Sequence, residues 1–267
     1  MVLLYLQETG QKVTIPRIFS PETLHEGKLL KIERDNSQYI KNVLRMRPGD
    51  KLSLFDGRGS EHEAVIVGLS KGRLSLKIGE KINVGVSSLN VTLAQSLPKG
   101  SKMDFIIQKS TELGADRIIP FISSRSIPRL SETKAETRCE RWRKIAIEAS
   151  RQCGRAKIPE VTGIVTFEEM LTMREEESLG ILLWEDESEK GIKEILRDER
   201  YHPLDKFFIV VGPEGGFSKE EVERATAHNF ISATMGALIL RTETAPLAIL
   251  SILQYEKGLR GKAEQGA

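Results

Sequence analysis

Cysteine is scarce in this chain: Cys139 and Cys153 are the only two among 267 residues. They fall fourteen positions apart in one stretch of helical pattern, roughly 21 Å along a straight helix, so they cannot pair with each other. Two reduced thiols are expected, with no disulfide framework. Histidine is nearly as rare, and His25, His62, His202 and His228 form no HxxxH pattern. With CxxC absent too, no metal site is expected. No apolar run approaches the roughly 20 residues of a membrane span. The opening MVLLYLQETGQKVTIPRIF lacks a basic n-region and soon turns polar. It reads as a strand, and the expectation is a cytoplasmic protein without a signal peptide. Neither GxGxxG nor the P-loop pattern GxxxxGK followed by Ser or Thr occurs where it would be needed, which argues against a nucleotide-dependent oxidoreductase and a P-loop enzyme.

What the chain does contain is ordinary in amount and uneven in distribution. Hydrophobic residues make up 39% and charged residues 29% of 29.9 kDa, enough for one large domain or two modest ones. Residues 95–160 carry 14 basic and 8 acidic side chains, whereas 161–206 carry 6 basic and 13 acidic. The basic excess early in the chain suits a polyanionic partner, although a solvated helix face would look the same. VTIPRIF, KLSLFDG, SEHEAVIVGL and GRLSLKIGE alternate like short strands, with QYIKNVLRMRPGD as a helical interlude, so residues 1–80 read as a small β-barrel. KINVGVSS has the composition of a linker.

From residue 89 the pattern is α/β. Strands LNVTLAQ, DRIIPFI, GILLWE, FFIVVG and ATMGALIL alternate with helices SKMDFIIQKSTELG, ETRCERWRKIAIEASRQCG, KGIKEILRDER, KEEVERATAHN and APLAILSILQYEKG. A mostly parallel sheet covered on both faces follows. Such sheets bind ligands at the carboxyl ends of their strands. Three of those ends are unusual: LLWED (182–186), VVGPEGGFS (210–218) and MGALILRTETAP (235–246). Gly212, Gly215 and Gly216 allow close approach to the backbone, while Ser218 and Glu221 form a capping box for the next helix. Thr244 is a candidate N-cap and Pro246 suits the first turn. Neither accounts for Arg241, Thr242 and Glu243 between an apolar strand and an apolar helix, where charge is costly unless paired.

VGPEGGFS followed by MGALILRTETA closely resembles the signature of the RsmE family of 16S rRNA uracil-N3 methyltransferases, members of the SPOUT superfamily. QKSTELG (108–114) and EASRQCGR (148–155) match two further motifs in order, and the resemblance spans the chain. It implies an N-terminal PUA-like RNA-binding β-barrel (1–80) and a C-terminal α/β SPOUT domain with a deep trefoil knot (89–267). It further implies S-adenosyl-L-methionine as methyl donor, a homodimer, and 16S rRNA of the small ribosomal subunit as partner. The implied cofactor residues are Leu183, Trp184, Glu185, Gly212, Pro213, Glu214, Gly215, Gly216, Met235, Gly236, Leu238, Leu240, Thr242, Thr244 and Ala245. The sequence departs from the family at Ala237-Leu238, where Pro-Arg is common.

Methylating uracil N3 requires loss of its proton, so an anion-stabilising cation and a carboxylate are sought. Arg241 is the candidate for the first role, with Glu112 or Glu243 as base. Glu112 reads equally as a surface helix residue, and Glu148 as a simple partner for Arg151. Arg45, Arg47, Arg125, Arg129, Arg151 and Arg155 are candidate RNA contacts. Two alternatives stay open: a SPOUT methyltransferase for another rRNA or tRNA nucleotide, and a non-catalytic RNA-binding assembly factor.

Overall fold

The computed structural model describes residues 15–33, 40, 44–70, 73–85, 89–126 and 131–258. The chain divides into two compact units, one of residues 1–86 with 147–158 and one of 87–146 with 159–267.

In the first unit, strands β1 (Arg17–Phe19), β2 (Leu29–Glu33), β3 (Lys51–Phe55), β4 (Glu61–Ser70) and β5 (Arg73–Lys81) form one sheet in the order β1-β3-β4-β5-β2. β1 runs parallel to β3, and the other pairs are antiparallel. Alternation puts Leu74, Leu76 and Ile78 of β5 inward, where they join Ile18, Leu30, Ile32, Leu52, Leu54 and Ile66 in a single core. Ser53 and Phe55, on the opposite face of β3, are also buried. Residues 147–158 account for this. Ile158 donates its N–H to the Gly57 carbonyl, and a Cβ added at Gly57 would lie 2.7 Å from the Ile158 side chain. β2 was not expected from the sequence, because its five residues are too few to display a period. Residues 38, 39 and 41–43 of QYIKNVLRMRPGD lie outside the described residues, and its end, residues 44–50, forms bends and turns rather than helix.

The second unit contains a seven-stranded sheet: β6 (Asn90–Ser96), β7 (Arg117–Ile122), β8 (Glu160–Val161), β9 (Val165–Thr166), β10 (Leu179–Leu183), β11 (Lys206–Val211) and β12 (Phe230–Ala233). The order is β12-β10-β11-β6-β7-β8, with β9 beside β7, and every pairing is parallel. Helices α1 (Lys102–Glu112), α2 (Glu132–Cys153), α3 (Phe167–Thr172), α4 (Ile192–Arg197), α5 (Lys219–Ala227) and α6 (Ala245–Leu253) connect or follow the strands. LGILL and FFIVV are buried at every position, as strands covered on both faces must be. Phe121, Phe167 and Phe217 cluster with ring centroids 5.9–6.4 Å apart and knit β7, α3 and the loop after β11. Both cysteines lie in α2 and are free thiols.

One expected strand is absent. ATMGALIL is not a strand; the edge strand is FISA (230–233), and the chain then turns at Gly236, whose φ is +120°. Leu238 and Ile239 are 80% and 81% exposed, so beyond Ala233 this apolar run stays out of the core. FISA offers only four residues, while the longer run that follows has the composition without the partner strand.

Candidate functional site at the strand ends

The carboxyl ends of β10, β11 and β12 surround a cavity of about 370 Å³, within the roughly 300–1,000 Å³ usual for small-molecule sites. The loop after β10 contributes Leu183, Trp184 and Glu185. Val211, Gly212, Pro213, Glu214 and Gly216 come from the end of β11 and its loop. The segment after β12 supplies Ala233 to Gly236, Leu238 to Thr242, and Ala245, and Lys102 enters from the first turn of α1. The backbone groups of Leu238, Ile239 and Leu240 form no hydrogen bond to the described residues, so they are open to a ligand.

Glycine is required at one point in particular. Gly216 has φ +66°, and a Cβ there would sit 1.5 Å from a carboxylate oxygen of Glu185. Just beyond, the capping box forms as expected: the Ser218 hydroxyl accepts from the Glu221 N–H at 3.2 Å, and the Glu221 carboxylate accepts from the Ser218 N–H at 3.0 Å. Glu221 is buried and also accepts from the Ser124 N–H and hydroxyl, at 2.8 and 2.9 Å. The cap thus ties the glycine loop to the segment after β7.

Thr242 is 5% exposed and carries the segment after β12 across the sheet. Its hydroxyl accepts from Gln95 Nε2 at 3.1 Å and donates to the Gly212 carbonyl at 2.7 Å. Glu243, next in sequence, lies with Glu214 around the Lys102 ammonium, both at 3.0 Å. Burial pushes both carboxyls up, but hydrogen bonds from Lys102 and from main-chain N–H groups outweigh it and hold them below their ordinary value. Lys102 is raised, mainly by Glu214 and then by Glu243. Arg241 is exposed; its carbonyl accepts from the Thr244 and Ala245 N–H groups, and its guanidinium makes neither hydrogen bond nor ion pair with a described residue.

Not every expected site residue reaches the cavity. Gly215 does not line it; its carbonyl accepts from Arg125 Nη1 at 2.8 Å. Thr244 does not line it either, and its hydroxyl forms no cap hydrogen bond. Thr244 is already in the helical region, with its N–H given to the Arg241 carbonyl at 2.8 Å, so the turn 241–244 starts the helix entry early. Glu112 lies away from the cavity at the end of α1 and pairs with Lys109 at 2.9 Å. Glu243 is not on the wall itself but touches Lys102, which is.

Of the arginines read as RNA contacts, Arg129 lies outside the described residues. Arg45 and Arg47 precede β3, and Arg47 gives its N–H to Asp50. Arg151 binds Glu148 at 2.7 Å, and the Arg155 carbonyl accepts from Arg17. Sequence reasoning missed Lys102, Val211, Ala233, Thr234 and Ile239. Lys102 had a legible signal, being a cation in the first turn after a strand end.

An all-parallel α/β sheet with a cavity at its strand ends is the architecture of a small-molecule-binding α/β domain. Two family models narrow this. One described as an RNA methyltransferase domain matches residues 86–254, and one described as an RNA methyltransferase PUA domain matches residues 32–79. The chain is therefore an RNA methyltransferase with a PUA-like N-terminal domain. Within that class it belongs to the ribosomal RNA small subunit methyltransferase E family. It is 35% identical over 241 residues to the protein of that name from Bacillus subtilis, covering 89% of this chain and 94% of that one. The Rickettsia conorii protein of the same name is 31% identical over 237 residues, covering 88% and 93%. A crystal structure of a ribosomal RNA small subunit methyltransferase E from Neisseria gonorrhoeae, bound to S-adenosyl methionine, superposes with a TM-score of 0.82 at 37% identity, covering 92% of this chain and 99% of that one.

Proposed function

We propose that this protein transfers the methyl group of S-adenosyl-L-methionine to N3 of one uridine in 16S rRNA of the small ribosomal subunit. The observation that carries the reading is the cavity at three strand ends, in which glycine and unpaired main-chain groups offer close contacts to a flexible, multiply polar ligand. The donor supplies a methyl group on a positively charged sulfur, ready for in-line attack. Leu183 to Glu185, Gly212 to Glu214, Gly216, Met235, Gly236, Leu238 to Leu240, Thr242 and Ala245, which line the cavity, would hold it.

The chain's own residues have to bind the uracil, bring N3 into line and favour loss of its proton. Deprotonation spreads negative charge over O2, N3 and O4, and in this reading the Arg241 guanidinium, which lines the cavity and has no ion pair among the described residues, stabilises it. Glu112 is remote from that charge and Glu243 is engaged by Lys102, so neither is the leading candidate for the base.

The reading includes a trefoil knot. Its support is the path of the chain after β12, which lies at the sheet edge beside β10. Thr242 nevertheless bonds Gly212 at the end of β11 and Gln95 in β6, and α6 continues beside α1. A PUA-like domain (1–80) that meets flanking RNA through Arg45 and Arg47, further phosphate contacts from Arg125, Arg151 and Arg155, a methyltransferase domain (89–267), a homodimer and a cytoplasmic location complete the proposal. Among the described residues no helix is long and apolar enough to cross a membrane.

The test is methyl transfer from labelled cofactor to separated 30S, 50S and tRNA fractions, with mass spectrometry to locate the methyl. Label on N3 of a single uridine of the 30S fraction is expected. Label confined to 50S or tRNA would move the substrate, and cofactor binding without transfer to any fraction would favour an assembly factor.

A further inference from the structure

Lys102 stands where three strand-end segments meet. It follows β6, while Glu214 belongs to the loop after β11 and Glu243 to the segment after β12. Glu243 has two cations within electrostatic reach, Lys102 and Arg241, and it forms an ion pair only with the first, at 3.0 Å. Arg241 is just two residues away, in the turn closed by the Thr244 N–H on the Arg241 carbonyl. A guanidinium is a better fork for a carboxylate than an ammonium is, so an unoccupied Glu243 would pair with it. Arg241 would then meet a substrate anion already neutralised.

We propose that Lys102 is a positioning residue for the reaction: by holding Glu243 it keeps that carboxylate off Arg241, whose guanidinium stays open to the substrate. Glu214 steadies the ammonium from the other side, and itself accepts the Lys99 N–H at 3.1 Å. The inference rests on the methyltransferase reading above. It adds a consequence that a cofactor ligand or a plain structural lysine would not have: removing Glu243 repairs the loss of Lys102.

The experiment compares wild type, Lys102→Met, Lys102→Arg, Glu243→Gln and the double variant Lys102→Met/Glu243→Gln. Two readouts are taken: methyl transfer to 30S particles, and the Arg241 Nε–H signal in spectra of arginine-labelled protein without cofactor. Lys102→Met is expected to lower kcat about tenfold with little change in KM for the cofactor, and the double variant to return to within about threefold of wild type. The Arg241 signal should shift in Lys102→Met and revert in the double variant. Lys102→Arg keeps the charge and should behave nearly as wild type, which separates the effect from misfolding. A double variant no better than Lys102→Met, an unshifted Arg241 signal, or a loss carried wholly by KM for the cofactor would overturn the proposal. If the wild type binds cofactor but methylates no RNA, the functional reading fails by itself, and the Arg241 signal still decides the pairing.

Discussion

Arg17 with Glu61 in the first unit, and Lys102 with Glu214 and Glu243 in the second, are both cation–carboxylate clusters, yet water reaches them very differently. Arg17 and Glu61 side chains are 3% and 1% exposed. All five guanidinium N–H groups are used: two on Glu61 at 2.9 and 2.7 Å, and the rest on the carbonyls of Ser150, Arg151 and Arg155 at 2.8–3.2 Å. Ser53 adds a bond to Glu61 at 2.7 Å, and the Phe55 ring lies 4.6 Å beneath the guanidinium. Nothing in that cluster is left to bind a ligand. It closes the end of α2 by satisfying carbonyls that a helix terminus leaves open. Lys102, Glu214 and Glu243 are 35%, 25% and 19% exposed at the cavity, so their partners can exchange. Complete satisfaction makes a charge structural; partial exposure makes it usable.

The largest effect should come from the closed cluster. Arg17→Met leaves Glu61 buried and unpaired and should cost about 3–5 kcal/mol, read as a lower urea midpoint. A midpoint within error of wild type would break the comparison. Arg241→Ala should do the opposite, leaving the midpoint alone while kcat falls roughly 10²–10³-fold. Unimpaired methyl transfer would remove Arg241 from the mechanism. Gly216→Ala forces an unfavourable positive φ and displaces the exposed Glu185 carboxylate, for about 1–2 kcal/mol. Calorimetry should show weakened cofactor binding beyond any loss of stability, and equal binding would mean that this wall does not touch the cofactor. Ser218→Ala removes one cap bond and should cost about 1 kcal/mol, visible in melting temperature with no change in KM.

The open cluster should also show in pH dependence. Glu214 and Glu243 are held below their ordinary 4.5, so their contribution is complete above that value and is lost as pH falls below it. Lys102 is raised above its ordinary 10.5, so its contribution is complete below 10.5 and is lost at higher pH. The stability difference between wild type and Lys102→Met should therefore be flat between those limits and shrink below 4.5. A difference that grows on acidification would contradict the assignment.

Local signals read well where the chain alone creates them. The Ser218–Glu221 box, the buried runs of β10 and β11 and the single long α2 need only neighbouring residues, and each is present. ATMGALIL was misread because its composition suits a strand while no neighbouring strand pairs with it. FEEMLT, with its own Thr166–Glu169 capping box, went unnoticed as a helix of only six residues. Lys102 was passed over because its meaning lies in Glu214 and Glu243, more than a hundred positions away.

The alternation of strand and helix, the turn at VGPEGG and the polar interruption RTET follow from side-chain period, capping and backbone permissiveness, all of which act over a few residues. That β12 should be an edge strand while Thr242 reaches Gly212 and Gln95 depends on strand order and on a crossing path, and no short-range preference encodes either. The same holds for residues 147–158, the end of one continuous helix and the turn after it, which pack with the first unit because the Arg17 guanidinium and Ile158 find their partners there. Sequence set which loops were able to bind a ligand; tertiary contacts decided which of them share one cavity, and which cation keeps Glu243 from Arg241.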